Sequence, residues 1–257
     1  MGDHVIAVLV RVLVAFCIGA PAVARAEVYV AAASDLVYCM QELNAEFRKA
    51  NFDIDVVVSV GSSGTFFAQI RNGAPFDLFL SADMEFPRRL IEEGVAEKGS
   101  LTPYAIGRIA LWATRADIDL RGGIDVLTDK AISRIAIANP EHAPYGRAAR
   151  AAIQKAGIWN TVQSKIVFGE NISQARQFVQ SGNADIGIIA LSLVMAPVVQ
   201  GIGQYALIPE DAHPRLEQGA VLTVRGAKNP GARAYMEFLR SLQARSIFEK
   251  YGFVLPK

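Results

Sequence analysis

The chain has 257 residues, 52% of them hydrophobic and 20% charged, with a formal net charge of +1. That is ample material for one large domain or two of about 100 residues. The charge balance and the absence of any basic run longer than two residues exclude a nucleic-acid surface. An anionic ligand would have to be held by local dipoles, since no large positive field draws it in.

Residues 5–23 are apolar except for Arg11 and end in Ala24-Arg25-Ala26, an A-x-A cleavage pattern. Residues 1–26 therefore read as a signal peptide cut before Glu27, and the mature chain as exported. Asp3 weakens the charge before the apolar stretch, so a retained anchor is the alternative, against which stand the short stretch and the good cleavage site. Cys17 leaves with this segment. Cys39 alone remains, with no disulfide partner and no cysteine metal site. It shares core spacing with Leu36, Leu43 and Phe47 and reads as a buried thiol.

Residues 28–33 read as a buried strand, and 35–50 as a helix with Leu36, Cys39, Met40, Leu43 and Phe47 on one face. Ser34 stands at the junction as a candidate N-cap. Residues 54–60 form a β-branched strand and 66–71 a helix. Between them lies Gly61-Ser62-Ser63-Gly64-Thr65. Small residues at a strand-to-helix junction admit a ligand close to the backbone. Hydroxyls and the free N–H groups of the first helical turn make such a junction suit an anion. The same serine and threonine would also serve merely as helix caps. A third strand, 77–80, and a helix, 85–93, complete a β-α-β-α-β-α series, which implies a parallel sheet covered on both faces.

Residues 104–114 read as one long strand interrupted at Gly107, long enough to pass between domains. The β-α rhythm then restarts: strand 134–138, helix 147–156, strand 165–168, helix 172–180 and strand 185–190. A strand over 219–224, a helix over 230–242 with Tyr235, Phe238, Leu239 and Leu242 inward, and a last helix over 243–251 need the first sheet to pack on. The expected division is 27–106 and 210–257 in one lobe and 107–209 in the other. Ligands bind beyond the carboxyl ends of strands in such sheets, so both lobes would turn their strand-to-helix junctions into one cleft.

Several stretches then become recognisable as a set. They are Ala31-Ala32-Ala33-Ser34, the Gly61–Thr65 run, Ala74-Pro75-Phe76-Asp77-Leu78-Phe79-Leu80-Ser81-Ala82-Asp83, Asn139-Pro140-Glu141-His142-Ala143-Pro144-Tyr145-Gly146, and Ile247-Phe248-Glu249-Lys250-Tyr251-Gly252-Phe253. In order, over nearly all of residues 27–253, the chain resembles the periplasmic molybdate-binding proteins of ABC transporters. The resemblance implies a two-lobed type II periplasmic binding protein: an α/β fold with two parallel-rich sheets, a hinge and a ligand cleft between the lobes. It implies a monomer in the periplasm that holds molybdate or tungstate and delivers it to a membrane permease, with no cofactor and no enzymatic activity. Carried over by motif, Ser34 and Ser63 would give hydroxyls and N–H groups, Ala82 a further backbone contact, and Tyr145 and Ile172 backbone N–H groups. The molybdenum would be reached only through the oxyanion's oxygens. Some family members place a tyrosine donor where this chain has Ala190. Ser192 and the Tyr145 hydroxyl are the remaining hydroxyls for that role.

Three rivals stand beside this reading. Another oxyanion such as sulfate keeps the fold and changes the cargo. Fe(III) would need clustered tyrosine, histidine or carboxylates, whereas the tyrosines are scattered and Asp35 and Asp83 read as helix-start acids. A secreted hydrolase would need an activated nucleophile, but Ser63 is followed directly by Gly64, which is not a G-x-S-x-G elbow. His142 reads as a turn-stabilising group.

Overall fold

The computed structural model describes residues 26–256. The expected signal peptide, with Cys17, falls outside the described residues except for Ala26. β1 (Ala26–Ala33) runs into a 3₁₀ turn, Ser34–Leu36, and then α1 (Cys39–Ala50). β2 (Ile54–Gly61) leads to α2 (Ser63–Arg71), and β3 (Leu78–Ser81) to α3 (Glu85–Glu92). β4 (Thr102–Gly107) and β5 (Ile109–Ala113) are separated only by Arg108. There follow β6 (Ile135–Ala138), α4 (Pro144–Lys155), α5 (Trp159–Val162), β7 (Ile166–Gly169), α6 (Ile172–Gln180), β8 (Ile186–Ala190), α7 (Leu191–Val194) and β9 (Gln204–Leu207). β10 (Leu216–Leu222), α8 (Pro230–Phe238) and α9 (Leu242–Lys250) close the chain.

Among the described residues the strands form two five-stranded sheets, ordered β2-β1-β3-β10-β4 and β7-β6-β8-β5-β9. In the first, β1 pairs parallel with β2 and β3, while β10 runs antiparallel to β3 and β4. In the second, β6 pairs parallel with β7 and β8, while β5 runs antiparallel to β8 and β9. Each sheet is therefore parallel-rich with one reversed strand in the fourth place. The reversed strands are those that arrive from the other sheet. Each sheet with its helices is one lobe. The two passages between lobes run side by side: Gly107 pairs with Leu216 on one side of the crossing and Ala110 with Leu207 on the other.

Burial explains the apolar strands. Val28, Val30, Ala31 and Ala32 of β1 are buried with helices on both faces, α1, α8 and α9 on one and α2 and α3 on the other. The second lobe packs β5, β6 and β8 against α4 and α6 in a core that includes Trp112 and Ile188. Cys39 is a free, fully buried thiol in the first core, and burial raises its pKa well above the ordinary value.

The structure revises several element boundaries. The helix expected over 35–50 is broken after Leu36, and Ser34 opens the turn rather than capping it. The Asp35 carbonyl, which a continuous helix would offer to residue 39, instead accepts the Ser192 hydroxyl at 2.8 Å. Helices α2 and α4 each begin three residues earlier than their apolar periodicity indicates. Proline at the first helical position, as Pro144 in α4, needs no N–H partner and has the right φ. The helix expected over 230–242 ends at Phe238; Leu242 is 81% exposed, and Ser241 caps α9 through the Ala244 N–H at 3.2 Å. Strand β9 was not anticipated, because an edge strand with Gln204, Tyr205 and Leu207 all exposed leaves no buried pattern to read.

Candidate functional site

Four helical starts meet where the lobes face one another. Ser34 opens the 3₁₀ turn, Ser63 opens α2, Pro144 opens α4 and Ile172 opens α6, and all four line one cavity. The first turn of a helix leaves N–H groups without intrahelical acceptors and carries the positive end of the dipole. The five residues nominated from sequence, Ser34, Ser63, Ala82, Tyr145 and Ile172, all lie in this wall. The room inside it for the centre of a water-sized body is about 10 Å³, on the order of what a single water needs, so it suits nothing larger than one small ion.

The hydroxyls are poised as donors. Ser63 Oγ accepts the Ala82 N–H at 3.0 Å, and Ser34 Oγ accepts the Ser173 N–H at 3.4 Å across the lobes. Each hydroxyl thus has its acceptor side engaged by backbone and its own proton left to give. Ser63 is not the cap of α2: Ser62 holds that position and makes no side-chain capping bond, and Thr65 reaches Glu170 at 3.3 Å instead. Ala82 lines the cavity, and its N–H is directed at Ser63 Oγ. In the second lobe Asn171, absent from the nominated set, caps α6 by accepting from Ser173 and Gln174 at 3.1 Å each. That leaves Ile172 with the free first-turn N–H. An asparagine directly before a helix is a legible N-cap signal.

No lysine or arginine lines the cavity. Its one charged residue is Asp35, which sequence alone reads as a helix-start acid. The structure corrects this. The carboxyl is 1% exposed, and its Oδ2 accepts from Tyr145 Oη at 3.0 Å and Gln218 Nε2 at 2.7 Å. Gln218 Oε1 in turn accepts from Tyr104 Oη at 2.7 Å. Gln218 sits opposite Ala105 where the β10–β4 register shifts, Gly219 next to it already facing Pro103, and a bulge of this kind re-aims a side chain. No feature of the sequence points to it. Asp35 Oδ1 has no hydrogen-bond partner, and burial lifts the carboxyl to about 6. Burial also pushes the Tyr104 and Tyr145 hydroxyls well above their ordinary value, which keeps both as neutral donors. The Tyr145 hydroxyl and Ser192 are thus both engaged on Asp35, so neither takes the place of the donor missing at Ala190, which is itself buried at the end of β8. Asp83 does act as a helix-start acid, accepting from the Phe86 N–H at 3.1 Å, and also binds Arg147 at 2.5 Å.

At the mouth, Ser62, His142 and Glu170 lie in a row. Ser62 Oγ is 2.9 Å from His142 Nδ1, and His142 Nε2 is 3.6 Å from Glu170 Oε2. The row is not a nucleophile and its base. Ser62 gives its only proton to the His142 carbonyl at 2.6 Å, so Nδ1 must be the donor to Oγ. His142 instead ties the lobes together, since its carbonyl also accepts the Gly64 N–H at 2.8 Å. Among the described residues no group of three or more His, Cys, Asp or Glu is placed to hold a metal ion, and no helix is long and apolar enough to cross a membrane.

Comparison with known proteins agrees in sequence and in fold. The profile of the bacterial extracellular solute-binding proteins matches residues 28–254. The molybdate-binding protein ModA of Rhodobacter capsulatus is 40% identical over 232 residues, covering 90% of this chain and 89% of that one. ModA of Azotobacter vinelandii is 38% identical over 250 residues, covering 96% and 98%. The solved structure of the Azotobacter vinelandii periplasmic molybdate-binding protein superposes with a TM-score of 0.84 at 33% identity, covering 90% of this chain and all of the other. The two lobes, their strand order and these matches together make the chain a member of the bacterial extracellular solute-binding proteins, in the ModA family.

Proposed function

We propose that this chain captures molybdate, and with it tungstate, in the periplasm after removal of its signal peptide, and hands the oxyanion to the permease of an ABC importer. The observation that carries this reading is a cavity walled by neutral donors and helix starts from both lobes, with no basic side chain. The Ser34 and Ser63 hydroxyls and first-turn N–H groups, including those of Tyr145 and Ile172, hold the ion. Its metal atom stays inside its own oxygens and touches no residue. Such an ion is a dianion at neutral pH, and every oxygen accepts. Protonated phosphate would leave its own proton without an acceptor, which costs affinity. Sulfate carries the same charge and acceptors, so it is rejected by size.

The division into 27–106 with 210–257 and 107–209 makes the paired crossings at Gly107 and Leu207 the hinge. The loaded monomer presents both lobe surfaces in one alignment, and the permease reads that alignment. The test is calorimetric titration of the ligand-stripped protein with molybdate, tungstate and sulfate. Tight one-to-one binding of the first two with sulfate inert is expected. Tight sulfate binding would change the cargo, and no heat from any of the three would sink the reading.

A further inference from the structure

Asp35 is the one acid in the cavity wall, and an anion pocket is a costly place for it. Its partners on Oδ2, Tyr145 and Gln218, are neutral donors, and Oδ1 has none. The titratable groups around it give no relief. Tyr145 approaches from α4, Tyr104 from β4 through Gln218, and Cys39 from α1, with Asp83 beyond Tyr104. Each is neutral or acidic. Ser192 from α7 is neutral as well. The cations of the surrounding elements are turned elsewhere: Arg176 of α6 to the rings of Tyr38 and Trp112, Arg147 of α4 to Asp83, and Lys250 of α9 to Glu42.

Closure itself creates this environment. Tyr145 and Ser192 belong to the second lobe and Asp35 to the first, so separated lobes would leave the carboxyl open to water. Closed lobes bury it against a dianion with no cation to answer either. A buried like charge favours the neutral form of an acid.

We infer that Asp35 takes up one proton from solvent on Oδ1 as the lobes close on the oxyanion, so that cargo and proton are captured together. The inference rests on the oxyanion reading above. The step forms one O–H bond and moves no electrons: carboxylate plus solvent proton becomes carboxylic acid, and the site gains one negative charge instead of two. The acid keeps both bonds on Oδ2, and the orphaned Oδ1 becomes a donor. Burial, against the opposing hydrogen bonds from Gln218 and Tyr145, already lifts the carboxyl to about 6, and the dianion acts in the same direction as burial. The sign follows from linkage. A group whose loaded value exceeds its unloaded value favours binding at low pH, and between those values affinity falls by up to about tenfold per pH unit.

The experiment is molybdate titration in pairs of buffers with different ionisation heats between pH 5 and 8, which counts protons bound per oxyanion. Wild type is expected to approach one proton near pH 7, with affinity falling severalfold per pH unit, and Asp35→Asn to take up almost none. Tight binding with no proton uptake by wild type overturns the inference and leaves the oxyanion reading standing. Uptake that persists in Asp35→Asn also overturns it, by assigning the proton to another group. Failure of wild type to bind any oxyanion at any pH would overturn the underlying reading itself. If Asp35→Asn does not fold, the wild-type count and slope still decide.

Discussion

Around the cavity the lobes meet through Ser34, Asp35, Tyr145 and Gln218, none more than 3% exposed. At the rim they meet through Arg147 with Asp83 and through Thr65 with Glu170, side chains that water reaches. The inner layer is almost all neutral hydroxyls, amides and backbone N–H groups, and the outer layer holds the full charges. The difference follows from desolvation. A neutral donor loses little when water leaves and gains strength in a low dielectric. A charge moved to the same place must be matched or neutralised. Asp35 is the single breach of that division, and it is the group for which proton uptake is inferred.

The sharpest test of the inner layer is Ser63→Ala. It removes a proposed donor to the dianion and leaves the Ala82 N–H without its 3.0 Å acceptor. Oxyanion affinity should fall by on the order of 3 kcal/mol, more than a hundredfold. Unchanged affinity in a titration would reduce Ser63 to a local backbone prop. Gly64→Ala tests the closeness of the seam. A Cβ there would lie 2.6 Å from the His142 carbonyl oxygen in the other lobe. Affinity should drop by roughly 2 kcal/mol as the lobes are wedged apart. The melting temperature of the ligand-free protein should hold or rise, since alanine suits a helix better than glycine. A lower melting temperature would show that the contact supports the fold and not closure.

Tyr145→Phe separates the two uses of one residue. The backbone N–H proposed to hold the ion stays, while the hydroxyl on Asp35 and Gln218 goes. A loss of about 1 kcal/mol is expected, seen as faster dissociation. A loss as large as that of Ser63→Ala would place the hydroxyl in the ligand's own shell.

How much of this was written in the chain depends on distance along it. Each nominated residue follows a strand or opens a helix, so local pattern reaches it: Ser34 after β1, Ser63 at α2, Ala82 after β3, Tyr145 at α4 and Ile172 at α6. The sheets were legible through their buried apolar strands, and the long run broken at Gly107 marked the crossing. What stayed hidden is the wiring between lobes. Asp35 and Gln218 are 183 positions apart, and Asp35 and Tyr145 are 110 apart. An aspartate after a strand reads as a helix-start acid until its partners are seen. Edge strand β9 was missed for the opposite reason, since its exposed side chains carry no core signal.

The outer layer should yield least. Arg147 meets Asp83 at 2.5 Å and lies 3.9 Å from Glu85, and its side chain is more than one-third exposed. In that setting a charge pair is screened by water and must order a long side chain, so Arg147→Ala should cost about 0.5 kcal/mol or less of affinity. Asp83 does not depend on the arginine, because the Phe86 N–H and the Ser81 hydroxyl also bond to its Oδ1. Burial holds its carboxyl above the ordinary carboxylate value even with Arg147 alongside, as expected where desolvation outweighs a screened cation. The small loss should also vanish near 1 M salt, where the screening length shrinks to about 3 Å, while the loss in Ser63→Ala should persist. Titrations of both variants at low and high salt check this. A salt-insensitive loss of several kcal/mol in Arg147→Ala would mean that the rim excludes water on closure, and that the seam is one desolvated layer.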